Sequence, residues 1–175
     1  MKFLLLAVFG LVLSQQAMAA CSGVYTHKIN TLQGNKVDLC QYQNVPILVV
    51  NTASKCGFSP QFEKLEALSE QYKGKLLVLG FPSNDFQQEL STNKEIGDFC
   101  KQTYDVKFPM ALKSSVVGAD ANPLYKKLKA LTHEAPMWNF HKYLILPNAE
   151  EVYAYSSDVS PDAPTIMHHL KPYLK

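Results

Sequence analysis

Two uninterrupted apolar runs, Pro46-Ile-Leu-Val-Val-Asn51 and Leu76-Leu-Val-Leu-Gly-Phe81, constrain this chain more than any other feature. A strand with one wet face alternates polar and apolar side chains. A short continuous run marks a strand covered on both faces. Helix signals lie between the two runs. Ser59-Pro60 reads as an N-cap followed by the first helical position, and Phe62, Leu65, Leu68 and Tyr72 share one helical face. Gly74 is the stop. The order strand, helix, strand is a βαβ unit.

The flanking segments extend the pattern. Tyr25 to Cys40 reads as a hairpin turning at Gln33-Gly34-Asn35. Thr92 and Glu95 form a capping box for a helix through about Tyr104. Pro123 to Leu131 is a helix with Leu124, Leu128 and Leu131 inward. Tyr143–Leu146 and Val152–Tyr155 pair across Pro147-Asn148, and Pro161 to Leu174 is the last helix. A βαβ unit followed by an antiparallel ββα is the thioredoxin-type plan. The expected fold is α/β, a central mixed sheet flanked by helices, with an N-terminal β-hairpin. There are no repeats or linkers, so residues 20–175 form one expected domain.

The first residues stand apart. Met1-Lys2 is followed by the apolar stretch Phe3–Leu13, then Ser14-Gln15-Gln16 and the small-x-small site Ala17-Met18-Ala19. This is a signal peptide over residues 1–19, too short in its apolar part to span a bilayer. The expectation is an exported, periplasmic protein with no membrane span, in a compartment where disulfides persist. Anchoring as a lipoprotein through Cys21 ranks second, because Met18 replaces the usual Leu of the lipobox that Ala19-Ala20-Cys21 resembles. With 47% hydrophobic residues the chain is not disordered, and a formal charge of +2 leaves no footprint for nucleic acid. All 17 basic residues are lysine, so no guanidinium can clamp a carboxylate.

Cys56 holds the most informative position among Cys21, Cys40, Cys56 and Cys100. It follows a buried strand and precedes a helix N-terminus, where free N–H groups and the helix dipole favour an anion. With Lys55 adjacent, the thiolate form is favoured. Gly57 allows close approach.

Here the chain resembles the glutathione peroxidase family. Asn51-Thr-Ala-Ser-Lys-Cys-Gly57, Leu79-Gly-Phe-Pro-Ser-Asn-Asp-Phe86 and Trp138-Asn-Phe-His-Lys-Tyr143 are similar to its three signatures, and Gln88-Glu89 and Phe108-Pro109-Met110 match further segments in order. The resemblance implies a thioredoxin-like fold and a peroxidase whose peroxidatic residue is Cys56, completed by Gln88, Trp138 and Asn139. A thiolate attacking a peroxide becomes a sulfenic acid, and neutral amide and indole donors stabilise the departing oxygen. Ser83 and Asp85 depart from the second signature, and Gln87 is the weaker candidate for the amide role. The insertion between Pro109 and Trp138 that supports tetramers is absent, which favours a monomer.

The resemblance also implies a resolving cysteine on the helix after Gln88-Glu89. Cys100 lies there, one position before the usual site. One residue is about a 100° rotation on a helix, so Cys100 either resolves or faces the core as an inert thiol. Cys21 and Cys40 flank the hairpin, outside every catalytic motif, and are candidates for a structural disulfide. The reductant is a thiol, glutathione or a thioredoxin-like protein. Glutathione could meet only lysines such as Lys55 and Lys142, which argues for the protein reductant. The peroxide stays open among hydrogen peroxide and organic hydroperoxides. No cofactor or metal is expected, since His168 and His169 stand side by side and point apart. Two rivals remain. Lys55-Cys-Gly-Phe-Ser59 also resembles the monothiol glutaredoxin motif, which binds an iron–sulfur cluster with glutathione. An exported thiol-disulfide reductase is the other, though Ser59 stands where C-x-x-C needs its second cysteine.

Overall fold

The computed structural model describes residues 21–175, so the expected leader at 1–19 lies outside the described residues. The hairpin comes first: β1 (Lys28–Asn30) pairs antiparallel with β2 (Lys36–Asp38). The apolar runs follow as β3 (Ile47–Thr52) and β4 (Leu77–Pro82), every residue of both being buried. They pair in parallel, joined by α1 (Gln61–Gln71). Next come α2 (Asn93–Tyr104) and α3 (Pro123–Thr132), then β5 (Lys142–Ile145), β6 (Val152–Tyr155) and α4 (Pro164–Leu170). The main sheet runs β4-β3-β5-β6, with β5 antiparallel to both neighbours. This is the thioredoxin-like mixed sheet, with the N-terminal hairpin as a separate two-stranded sheet.

The continuous apolar runs are explained by cover on both sides. Successive strand residues point to opposite faces. Leu48, Val50 and Leu144 pack with Phe62, Leu65 and Leu68 of α1, Ile96 of α2 and Ile166 of α4. Ile47, Val49, Leu79 and Tyr143 pack with Leu124 and Leu128 of α3 and with Ile29 and Val37 of the hairpin. Each fully buried aliphatic side chain contributes about 1.5–3 kcal/mol. Gly80 has a packing reason: a Cβ there would collide with Met110 Sδ. The strand Cα can therefore lie against the 108–111 segment, which bonds Gly80 through Pro109 and Ala111.

Three expectations need correction. Ser59 does not cap α1. Overlapping turns from Cys56 to Pro60 feed the helix, which starts at Gln61, and the Ser59 hydroxyl bonds Tyr104 at 3.1 Å instead. Leu131 is exposed, because α3 is in its last turn there. Tyr125 is buried in its place, its ring edge-on to Phe81 and Tyr143. The last helix begins at Pro164, preceded by a turn closed from Ala163 to Ser160, and gives way to a 3-10 turn around Pro172, which has no N–H to donate.

Two polar residues where β5 begins, His141 and Lys142, sit in the core. His141 is 3% exposed, its Nε2 finds no hydrogen-bond partner within the protein, and burial pushes its pKa down to about 4. The folded chain thus holds His141 neutral where the unfolded chain takes up a proton. Stability falls as pH drops from about 6.5 to 4. Chemical unfolding at pH 7 and pH 4 should show wild type losing on the order of 3 kcal/mol more than His141→Leu between the two pH values. Equal losses would contradict a buried neutral imidazole.

Candidate active site

Strand β3 ends at Thr52, and residues 53–60 carry the chain to α1. Cys56 lies in this loop, 4% exposed, packed in the same apolar cluster as Ala53, Phe62 and Phe140. Its Sγ accepts a hydrogen bond from the Phe58 N–H at 3.4 Å, and its carbonyl accepts from Ser59 N–H at 3.0 Å. The turns leading into the helix therefore aim a backbone donor at the sulfur, as at other anion-receiving helix approaches. Apart from its own chain neighbours, no atom lies within 4 Å of where a Cβ on Gly57 would stand, so the surface beside Cys56 is open.

Two other segments converge on this loop. After β4, the Gln88 carbonyl accepts from Lys55 N–H at 2.9 Å. Before β5, Asn139 is wholly buried and its Nδ2 donates to Gln88 Oε1 at 2.9 Å. With Oε1 so engaged, Gln88 presents its Nε2 as a donor. Asn51 ties the third segment to β3: its Nδ2 donates to the Trp138 carbonyl at 3.0 Å, and its own carbonyl accepts from Phe140 N–H at 2.6 Å. The Trp138 ring leans on Phe86, centroids 5.4 Å apart, and stays 41% exposed. Gln87 is exposed and has φ 59°, whereas Phe140 has φ 62°. Left-handed backbone costs a non-glycine residue about 1–2 kcal/mol, and here it flanks both amide residues, Gln88 and Asn139. Such strain persists only where surrounding structure fixes it.

Glu89, matched in the sequence beside Gln88 but given no role there, has one in the structure. It is 8% exposed, and its Oε1 accepts from Ser54 N–H at 3.0 Å and Leu90 N–H at 2.7 Å. Burial pushes its carboxyl up, opposed by these donors. Glu89 thus holds the Cys56 loop from behind. Asp85 plays a similar part for the 115–117 segment, accepting from Ser115 Oγ, Val116 N–H and Val117 N–H.

The other candidates make no hydrogen bond to these three segments, although Cys100 lies in the same buried cluster as Cys56. Cys100 faces inward from α2, 3% exposed, and burial raises its thiol to about 12. Cys21 and Cys40 are joined in a disulfide beside the hairpin, Cα atoms 5.6 Å apart. Closing a loop of 19 residues stabilises by about 3 kcal/mol. Lys142 is not a surface charge available to a reductant, as its sequence position suggested. It is wholly buried because its side chain shares a sheet face with its β3 partner Val50, and burial lowers its pKa to about 7. His169 stacks on Tyr153, ring centroids 3.9 Å apart.

Comparison with known proteins bears on this geometry. A family model described as glutathione peroxidase matches residues 24–129. A glutathione peroxidase-like peroxiredoxin of Chlamydomonas reinhardtii is 41% identical over 143 residues, covering 78% of this chain and 88% of the relative. A hydroperoxy fatty acid reductase of Synechocystis is 38% identical, covering 79% and 89%. The crystal structure of T. cruzi GPX1 superposes with a TM-score of 0.67 at 31% identity, covering 87% of this chain and 97% of that one.

Removing the Glu89 carboxylate strands two buried N–H groups, each costing about 1–3 kcal/mol. Glu89→Ala should lose roughly 2–5 kcal/mol in urea unfolding and expose Cys56 to faster alkylation by a bulky maleimide. A loss under about 1 kcal/mol with unchanged alkylation would remove Glu89 from the support of the loop.

Proposed function

This chain belongs to the glutathione peroxidase family and reduces peroxides at the expense of a thiol, and from that premise we propose that Cys56 is the residue that meets the peroxide. The Cys56 thiolate attacks one peroxide oxygen and the O–O bond breaks. The sulfur becomes a sulfenic acid, and the second oxygen leaves with a proton as water or an alcohol. A first thiol condenses with the sulfenic acid, releasing water and forming a disulfide. A second thiol exchanges with that disulfide and restores Cys56. The observation that carries this reading is the convergence of three segments on one loop: Phe58 N–H on the sulfur, Gln88 on Lys55, and Asn139 on Gln88. Gln88 Nε2, Asn139 and the Trp138 indole are the donors for the developing negative charge. Hydrogen peroxide and organic hydroperoxides are both substrates in this reading. The open surface at Gly57 and the similarity to a hydroperoxy fatty acid reductase support the larger ones.

The reductant is a thioredoxin-like protein rather than glutathione. Glutathione carries two carboxylates, this chain has no arginine, and Lys142 is buried. Resolution passes through Cys100. A thiol at about 12 is inert while α2 is folded, so α2 opens to expose it. Weak packing supports that step. Among its residues only Ile96 and Cys100 are buried outright, Gly97 costs the helix about 1 kcal/mol, and a cavity of about 340 Å³ lies against Gly97, Cys100, Val106 and Met110. The protein acts as a monomer after export. The Cys21–Cys40 disulfide suits an oxidising compartment and occupies the sulfur that a lipid anchor would need.

Cys56→Ser should abolish peroxide reduction without unfolding the chain. Gln88→Ala and Asn139→Ala should each slow Cys56 oxidation by roughly 10- to 1,000-fold. Rates within a factor of about two of wild type for both would take them out of the site. Cys100→Ser should lose turnover with thioredoxin and keep one round of peroxide consumption. Saturable turnover with glutathione, unaffected by Cys100→Ser, would show a one-cysteine enzyme.

A further inference from the structure

Lys142 is an expensive residue to bury. An ammonium in the core costs several kcal/mol unless its protons are fully bonded, and no carboxylate bonds it among the described residues. Its Nζ instead donates to three backbone carbonyls of one loop, those of Ser156, Ser157 and Val159. The Ser157 carbonyl is shared. It also accepts from Gln61 Nε2 at 2.7 Å. Gln61 is the first residue of α1, and its backbone N–H donates to the Phe58 carbonyl at 2.9 Å. Phe58 is the residue whose N–H addresses Cys56 Sγ.

We propose that Lys142 is a positioning residue for Cys56, acting through a relay that runs from its Nζ by way of Ser157, Gln61 and Phe58 to the sulfur. The proposal rests on Cys56 being the peroxidatic residue. A carbonyl already bonded by the Lys142 Nζ is a better-fixed acceptor for the Gln61 amide, since bonds in a chain polarise one another. Lys142 therefore fixes where α1 begins, and with it the direction of the Phe58 donor. Its charged and titratable neighbours are Asp158, on the same loop, and His141, next to it in the chain. Neither donates to or accepts from Nζ. A second tie between the same elements, Lys64 to Asp162 at 2.7 Å, lies on the surface outside the relay.

The test measures the second-order rate of Cys56 with hydrogen peroxide, and the pH midpoint of its alkylation by iodoacetamide. Lys142→Met should slow the peroxide reaction by roughly 10- to 100-fold and move the midpoint upward. Gln61→Leu, at a half-buried surface position, should do the same to a smaller extent, and it stands in if Lys142→Met does not fold. The double variant should be no slower than Lys142→Met, because both break one relay. Lys64→Ala should match wild type. Strictly additive losses, a Gln61→Leu protein with wild-type rate and midpoint, or an equal loss in Lys64→Ala would overturn the relay. Cys56→Ser, assayed alongside, separates the two claims. Peroxidase activity surviving there would fault the assignment of Cys56 itself. Its loss there, with Lys142→Met unchanged, would fault only the relay.

Discussion

Strand β3 is hydrogen-bonded along both edges, parallel to β4 and antiparallel to β5, and this double pairing decides where the chemistry can be. With both edges taken and both faces covered, the strand cannot slide or tilt. Its end at Thr52 is a fixed point. The loop carrying Cys56 starts there, and the segments after β4 and before β5 arrive at the same end of the sheet. Reactive groups in open α/β sheets collect at such strand ends. Gln88 and Asn139, 51 residues apart in sequence, meet because the strands beside β3 deliver them.

Around that fixed point the protein carries several costly features. Asn51 Oδ1, Thr52 Oγ1 and Asn139 Oδ1 are buried and find no hydrogen-bond partner within the protein. Gln87 and Phe140 sit in left-handed backbone, and Glu89 and Lys142 are buried with raised and lowered pKa respectively. Each such feature costs on the order of 1–3 kcal/mol. Two well-packed sheet faces can offset that sum. Similar costs occur elsewhere, as at Asp105, His133, Asn148 and Tyr125, but those at this end of the sheet hold donors in place before charge develops, which a preorganised site requires.

Much of this was legible in the sequence, for reasons that can be stated. The apolar runs exposed β3 and β4 because burial on both faces leaves no polar alternation. The Thr92–Glu95 box exposed α2 because capping uses local hydrogen bonds, and the structure contains both halves of it. Motif order exposed the family and its peroxidase activity. What stayed hidden depends on contacts without a period. Glu89 meets Ser54 across 35 residues, and Gln61 meets Ser157 across 96. Lys142 looks like a solvated charge until the pairing with Val50 turns its side chain inward. Ser59 is a good N-cap by type, but the Cys56–Pro60 turns bring its hydroxyl to Tyr104. Leu131 follows the helical spacing and still faces solvent, because the helix ends before anything covers it.

Whether peroxide reacts at Cys56 can be read directly, because the chain's one tryptophan, Trp138, precedes Asn139 in the segment that meets the Cys56 loop through Gln88. Reduced protein is mixed with one equivalent of hydrogen peroxide in a stopped-flow instrument. Tryptophan fluorescence is followed beside peroxide consumption, with dimedone trapping and peptide mass spectrometry at each time. A fluorescence change at the rate of peroxide loss is expected, with dimedone on the Cys56 peptide alone at the earliest times. Peroxide consumed while Cys56 stays a free thiol and Trp138 emission stays constant would contradict it.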